Sequence, residues 1–296
     1  MSVRHFSASL LLALLWPNTP GQPLRLQHFT PLTMKPAGPA LKIDYGWFNG
    51  NHNFTAANHT VVVRLPGAIG VVDDVSLEIT QRYPFAHRDT CAVDLDGATV
   101  VALTGCVSAS STKFTLWRLT PMSHRRLPLA HLHAAASPAG FAVGDGKWFA
   151  VGADGSVDVV DLQTGHVVSH RPHTTPRRGE RGSFDPSWLG EHRLALGGTV
   201  VDVRSWERRT LAPGAQRIDA MGGYLVAHGP NGITVFDDSL HLYRRLAGGK
   251  AASSVGVHDG IVYAQIGLVW ELWNLRTGKH LGAVLPDTPW LVQILS

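Results

Sequence analysis

The chain has 296 residues, of which 44% are hydrophobic and 16% are charged, and this composition excludes an intrinsically disordered protein. The formal net charge of +4 is small, and the basic residues are spread along the chain in pairs, so we expect no nucleic-acid binding. The 31 glycines and 18 prolines fall mostly between apolar runs, where an all-β protein has its turns.

The N-terminus has the features of a signal peptide. Arg4 and His5 give a weakly positive start, and residues 10–16 form an apolar run that is too short to cross a bilayer. We predict a signal peptide over residues 1–21, a linker over 22–40 and a single domain over 41–296. The protein is then secreted or periplasmic and has no transmembrane segment. If the N-terminus is not a signal, the protein is intracellular.

Two cysteines, Cys91 and Cys106, are the whole cysteine content of the chain. In an oxidising compartment we expect them to form a disulfide. A hairpin turn at residues 96–97 would place Cys91 opposite about Ala102, so the chain beyond that point must curl back to bring the two sulfur atoms together.

A repeat of about 40 residues runs through the chain. Each unit has an apolar strand, a glycine-containing turn, a second alternating strand, a polar turn and a third strand. Apolar residues recur at every second position, as at Val157 and Val159, which indicates strands rather than helices. The residues that close the central strand of each unit are Ile79, Arg118, Asp161, Asp202, Asp237 and Asn274.

Repeats of this length, made of several short strands, are typical of β-propeller blades. Six repeat positions predict an all-β propeller of six four-stranded blades, with seven blades as the alternative. Because open sheet edges promote aggregation, the ring has to close. We expect the C-terminal strand Trp290–Leu295 to pair with an N-terminal strand and to complete the last blade.

Two segments resemble known propeller repeats. Residues 272–279 (LWNLRTGK) look like the third strand and following turn of a WD40 repeat, and residues 157–165 (VDVVDLQTG) look like the same element in quinoprotein-like repeats. The resemblance covers residues 90–286. It implies a propeller architecture, but no specific family and no cofactor. The Gly-His pair that opens a WD40 blade is absent from every unit, and the docking tryptophan of quinoprotein-like repeats is absent after Lys279, where His280 and Leu281 follow.

Three arginine pairs follow the repeat positions, each at the place expected for an outermost strand. They are residues 125–126, 208–209 and 244–245. Charge on an outer strand protects its edge from pairing with other chains. The alternative is a basic belt that meets an acidic partner.

One segment, residues 169–190, interrupts the repeat between an outermost strand and the next innermost strand. Such a connection crosses a face of the ring, where ligands bind. Arginine, histidine and tryptophan together favour an anionic or planar ligand, through paired hydrogen bonds and stacking. The alternative is a solvated loop without a ligand. The candidate binding residues are His170, His173, Arg177, Arg178, Arg181, Asp185 and Trp188.

No motif for catalysis stands out. The sequence has neither a Gly-x-Ser-x-Gly elbow nor a His-Glu-x-x-His motif. We therefore name no catalytic residue, metal or cofactor, and predict a monomeric binding scaffold whose loop face takes a protein or an anionic ligand. The alternatives are a propeller enzyme, such as a quinoprotein-like oxidoreductase or a lyase, and an intracellular WD40-like adaptor.

Overall fold

The computed structural model is an all-β ring of seven four-stranded antiparallel sheets. One short 3-10 turn, Ala247–Gly249, is the only helical segment in the described part of the chain. The described residues are 10–16, 23–43, 54–57, 60–85, 90–97, 99–105, 113–120, 125–133, 140–151, 156–172, 186–284 and 290–295.

The strands are numbered in chain order. The first three are β1 (Leu11–Trp16), β2 (Leu24–Thr30) and β3 (Lys35–Ile43). Blade 1 contains β4 (Phe54–Ala57), β5 (Thr60–Leu65), β6 (Ala68–Asp73) and β7 (Ile79–Pro84). Blade 2 contains β8 (Thr90–Asp96), β9 (Thr99–Thr104), β10 (Lys113–Thr120) and β11 (Arg125–His133). Blade 3 contains β12 (Gly140–Gly144), β13 (Lys147–Val151), β14 (Val157–Asp161) and β15 (Val167–Arg171).

Three further blades and one strand follow. Blade 4 contains β16 (Pro186–Gly190), β17 (Arg193–Leu196), β18 (Thr199–Asp202) and β19 (Arg208–Thr210). Blade 5 contains β20 (Arg217–Met221), β21 (Tyr224–Gly229), β22 (Gly232–Phe236) and β23 (Leu242–Leu246). Blade 6 contains β24 (Ser254–His258), β25 (Ile261–Ile266), β26 (Val269–Asn274) and β27 (His280–Val284), and the chain ends with β28 (Trp290–Leu295).

The order of the strands explains how the ring is built. First strands of neighbouring blades contact one another, so they surround the centre, and the fourth strands form the rim. Because each blade has four antiparallel strands, all first strands run in the same direction and begin on one face, which we call the upper face. Each fourth strand therefore ends on this face, where the next first strand begins.

The hydrophobic core lies between the blades. Seven clusters of buried side chains are found among the described residues, one for each pair of neighbouring blades. A sheet covered on both faces needs apolar residues at successive positions, and this accounts for runs such as Trp148, Phe149 and Ala150, all of which are buried.

The ring has seven blades, which is the alternative count and not the preferred count of six. The six repeat positions of the sequence mark six complete blades, and a seventh is assembled from the two ends of the chain in the order β28-β1-β2-β3. The repeat position of blade 1 is Asp73, at the end of β6, whereas Ile79 begins the fourth strand.

A shared turn explains why the repeat positions carry Asp or Asn. Asp73 Oδ1 accepts hydrogen bonds from the backbone N–H groups of Val75 and Ser76, at 3.1 and 2.7 Å. The amide of Ser76 is the main reason that the pKa of Asp73 is lowered. Side-chain oxygens in three later blades accept equivalent backbone bonds, namely those of Asp161, Asp202 and Asn274.

The two ends of the chain close the ring, as the sequence predicts. β28 pairs antiparallel with β1, with Ala13 opposite Ile294. Ala13 is fully buried in the cluster between blades 6 and 7, with Tyr263 and Trp270. The N-terminal partner is thus the apolar run itself, and β2 and most of β3 occupy the stretch assigned to a linker. The signal peptide stays a prediction, but cleavage after residue 21 would remove β1 from the ring.

The backbone around the cysteines differs from the expected register. The turn begins after Asp96 and not at it, so Ala102 does not face Cys91. Cys91 lies instead at a bulge in β8, between the pairs Thr90–Thr104 and Ala92–Leu103. Cys106 and the side chain of Cys91 lie outside the described residues, and the disulfide stays a prediction.

We predict that a charge at Ala13 destabilises the ring. Ala13→Asp should lower the free energy of unfolding by about 3–5 kcal/mol, because it buries an unpaired carboxylate between two blades. Leu10→Asp is the matched control, since Leu10 is 47% exposed. Urea unfolding followed by tryptophan fluorescence measures both, and equal midpoints for the two variants would show that β1 is not an integral strand.

Candidate functional site

The residues predicted to form one binding loop are divided between two blades. β15 ends at Arg171 and β16 begins at Pro186, both on the upper face, so the two strands are joined by residues 172–185. His170 lies in the outermost strand of blade 3, whereas Trp188 lies in the innermost strand of blade 4. The structure therefore does not bring these two side chains together.

Both side chains have local partners. His170 is exposed, and its Nδ1 lies 2.6 Å from Asp158 Oδ1 on the adjacent strand. Trp188 stacks on Phe149, with ring centroids 5.2 Å apart and an interplanar angle of 12°. A Cβ at Gly144 would lie 2.1 Å from the Trp188 ring, so this position requires glycine. Trp188 thus packs between blades 3 and 4, and its contact with a ligand stays a prediction.

The other candidates belong to the connection itself. His173, Arg177, Arg178, Arg181 and Asp185 lie outside the described residues. Their assignment to a binding site therefore remains a prediction from the sequence.

A polar cluster that the sequence analysis did not name lies where this connection enters blade 4. Its centre is Asp219 in β20, whose side chain is 13% exposed. Arg217 Nε lies 2.8 Å from both carboxylate oxygens of Asp219. Ser187 Oγ donates a hydrogen bond of 2.6 Å to Asp219 Oδ1, and His228 Nε2 lies 3.8 Å from Oδ2.

The electrostatics of the cluster keep Asp219 ionised. Burial by itself favours the neutral acid, but the charge of Arg217, together with His228 and the hydrogen bond from Ser187, outweighs it, so the pKa of Asp219 is lowered. The carboxylate in turn holds the guanidinium of Arg217 in place, and the Arg217 side chain is 22% exposed.

The cluster contains serine, histidine and aspartate, but its geometry is not that of a nucleophilic triad. In such a triad the histidine lies between the other two and accepts the serine proton. Here Asp219 is the central residue, and Ser187 and His228 both face it. Ser187 Oγ therefore donates to a carboxylate and not to a histidine, and the lowered pKa of Asp219 makes that carboxylate a weak base.

A weak sequence signal for this cluster exists. Arg217 and Asp219 are two residues apart in a strand, so their side chains share a face. Of the described first strands, β8 also carries charged residues, Asp94 and Asp96, but β20 alone combines both signs. Without knowledge of which strand neighbours which, Ser187 and His228 cannot be connected to that pair.

The structure adds two further observations. In the described part of the chain no three His, Cys, Asp or Glu side chains form a group that could hold a metal ion. None of the described helical segments is long and apolar enough for a membrane span.

Comparison with known proteins shows the fold but no family. No family model matches the chain, and no curated protein matches it. Among solved structures it is similar to the computationally designed Ika8 protein, with 15% identity and a TM-score of 0.52, over 81% of this chain and 88% of that one. In total 1159 solved chains match, and a fold shared so widely does not determine a function.

We predict that Arg217 and Asp219 stabilise the protein as a pair. Arg217→Met or Asp219→Leu alone should each cost about 3 kcal/mol, because each leaves a mostly buried charge without its partner. The double variant should cost clearly less than the sum of the two. Urea unfolding of the four proteins measures the coupling, and additive losses would contradict it.

The Arg217–Asp219 pair also makes the stability of the protein depend on pH in the acid range. Because the pKa of Asp219 is lowered in the folded state, its stabilisation is present above the ordinary pKa of aspartate and is lost as the pH falls below it. The wild type should therefore lose more stability than the double variant between pH 7 and pH 3.

Proposed function

We propose that this β-propeller is a non-catalytic binding scaffold that receives an anionic partner on its upper face. The propeller fold commonly serves in this way, because its loops project from a rigid frame. The observation that carries the proposal is the buried Asp219–Arg217 pair at the point where the longest connection of the regular blades enters blade 4.

The position of this pair supports a binding role. Ser187 is the second residue of β16, directly after the connection over residues 172–185, and it hydrogen bonds to Asp219. Burying a carboxylate is costly unless it is paired, and ionisable groups with shifted pKa values are often found at functional sites. Here the buried carboxylate orients a partly exposed arginine on the upper face.

Binding is favoured over catalysis by the same geometry. Ser187 and His228 are both directed to Asp219, so the serine is paired with a carboxylate of lowered pKa, a weak base, and not with the histidine. An oriented guanidinium, in contrast, suits recognition of a carboxylate, sulfate or phosphate group.

The connection over residues 172–185 carries further positive charge. Arg177, Arg178 and Arg181 follow one another closely in the sequence, and the connection begins and ends on the upper face. We propose that they surround the anion together with Arg217. Contacts of this kind on exposed arginines weaken as the salt concentration rises.

Export remains part of the proposal. It is motivated by the N-terminal charge and apolar run, and it requires that this run stays in the exported protein as β1 instead of being removed after residue 21. In an exported protein the two cysteines would be oxidised to a disulfide.

The binding proposal is tested with heparin as a polyanionic probe on the full chain. The triple variant Arg177→Ser, Arg178→Ser, Arg181→Ser should bind heparin about tenfold more weakly at low salt, since three charge contacts of about 0.5 kcal/mol each are lost. Melting should be unchanged, because loop side chains of this kind do not belong to the core.

A second triple variant controls for net charge. Arg82, Arg204 and Arg276 are exposed side chains on blades 1, 4 and 6, and replacing all three by serine removes the same charge elsewhere. Its heparin affinity should stay within about twofold of the wild type. Equal losses in the two triple variants would show that heparin binds through net charge alone and would overturn the proposed site.

A further inference from the structure

A groove at the rim between blades 4 and 5 is separate from the polar cluster. It has a volume of about 500 Å³ and is partly open to solvent. One wall is the connection after β19, with Leu211 and Pro213, and the other is formed by β22 and β23, with Thr234, Phe236 and Leu242. This volume is typical of sites that hold a small ligand or a few residues of a peptide.

The groove exists because the rim of blade 4 is short. β19 has only three residues, whereas β23 has five, so the outer part of blade 5 extends beyond its neighbour. Gly232 lines the groove at φ +95°, and a Cβ there would lie 3.2 Å from the Leu246 carbonyl oxygen. A side chain at this position would crowd the Leu246 carbonyl oxygen and would occupy part of the groove.

The interior of the groove is apolar. Phe236 and Ala227, which are buried on the face of blade 5 turned toward blade 4, form part of its wall, and Leu242 at its edge is 50% exposed. Here apolar surface remains that only an added group can cover.

One arginine lines this apolar groove, and a second lies on the face of blade 4 that is turned toward blade 5. Arg245 lines it and lies opposite Thr234 across β22 and β23. Arg209 lies opposite Val200, which packs in the cluster between blades 4 and 5, so Arg209 is on the face of blade 4 that is turned toward blade 5. Of the described residues that line the groove, Arg245 alone is charged, and no carboxylate opposes it.

The other arginine of the same pair behaves differently. Arg244 donates hydrogen bonds to the carbonyl oxygens of Arg276 and Thr277, at 2.8 and 3.3 Å, and so connects blade 5 to blade 6. Both Arg245 and Arg209 are exposed, and within the described chain neither side chain has a hydrogen bond or ion pair. Arg244 thus has a structural role that Arg245 lacks.

The edge beside the groove favours a peptide over a small molecule. β23 is the last strand of its sheet, so alternate N–H and C=O groups along its outer edge are available to an extended segment. A peptide could pair with this edge while its side chains enter the groove.

We propose that the groove between blades 4 and 5 docks a short extended segment of a partner protein, with apolar side chains in the groove and carboxylates at Arg245 and Arg209. This surface lies on the rim and does not depend on the anionic site of the upper face. A partner could therefore be held in addition to the ligand proposed above.

The test uses two pools of capped octapeptides and the immobilised full chain. In one pool apolar residues alternate with Asp or Glu, and in the other they alternate with Lys or Arg. The wild type should retain the acidic pool at least about fivefold over the basic pool, because two arginines face the segment. No preference between the pools would overturn the proposal.

Variants separate the groove from general charge effects. Arg209→Ser with Arg245→Ser should reduce retention of the acidic pool about tenfold, and Thr234→Phe, which fills the groove, should do the same with the charges intact. The control is Arg204→Ser with Arg208→Ser: it removes equal charge, and Arg208 lies opposite Val201, on the other face of blade 4. Equal losses in the control would overturn the proposal.

Two more measurements distinguish other occupants. The triple variant of residues 177, 178 and 181 should retain the acidic pool like the wild type, and a loss there would assign the peptides to the upper face. Decanoate, a small amphiphile with one carboxylate, should not displace the retained peptides. Displacement by decanoate below about 1 mM would identify a small-molecule site and would overturn a peptide site.

Discussion

The structure depends on one constraint: each sheet is apolar on both faces and must be covered on both sides. Seven clusters of buried side chains, one per blade interface among the described residues, meet this requirement. No blade can bury its two faces alone, so the stability of each depends on its two neighbours. The ring is stable only when it is closed, and the closing blade takes its strands from both ends of the chain.

This constraint explains the position of the apolar N-terminal run. β1 lies between β28 and β2, and Ala13 is buried against side chains of blade 6. A hydrophobic run of this length near an N-terminus has the composition of a signal sequence as well as that of a buried strand. Composition alone cannot separate the two, because both need a short apolar segment.

Much of the fold could be predicted because its local signals repeat. The Asp and Asn residues at the repeat positions mark a turn in which a side-chain oxygen accepts backbone N–H bonds, and this requirement is purely local. The blade count was harder to predict because the closing blade is not continuous in the sequence. In blade 1 the sequence pattern indicates Ile79 rather than Asp73, because the segment at Ile79 resembles a third strand but begins the fourth strand β7.

The candidate sites, in contrast to the turns, could not be predicted from local sequence patterns. The Asp219 cluster joins side chains from β16, β20 and β21, and the rim groove exists because β19 is shorter than β23. Both depend on which strands are neighbours and how long each one is. Residue composition could indicate the basic connection at residues 172–185, but it could not locate the carboxylate that orients an arginine beside it.

Hydrogen–deuterium exchange of the full chain tests the central claim most directly, because it reports whether the terminal strands belong to the ring. If β1 and β28 close it, the amides of residues 11–16 and 290–295 should be protected to about the same degree as those of β25, since opening the closing blade exposes two neighbours at once. Complete exchange of both terminal segments within seconds, with β25 still protected, would contradict a ring closed by the two ends of the chain.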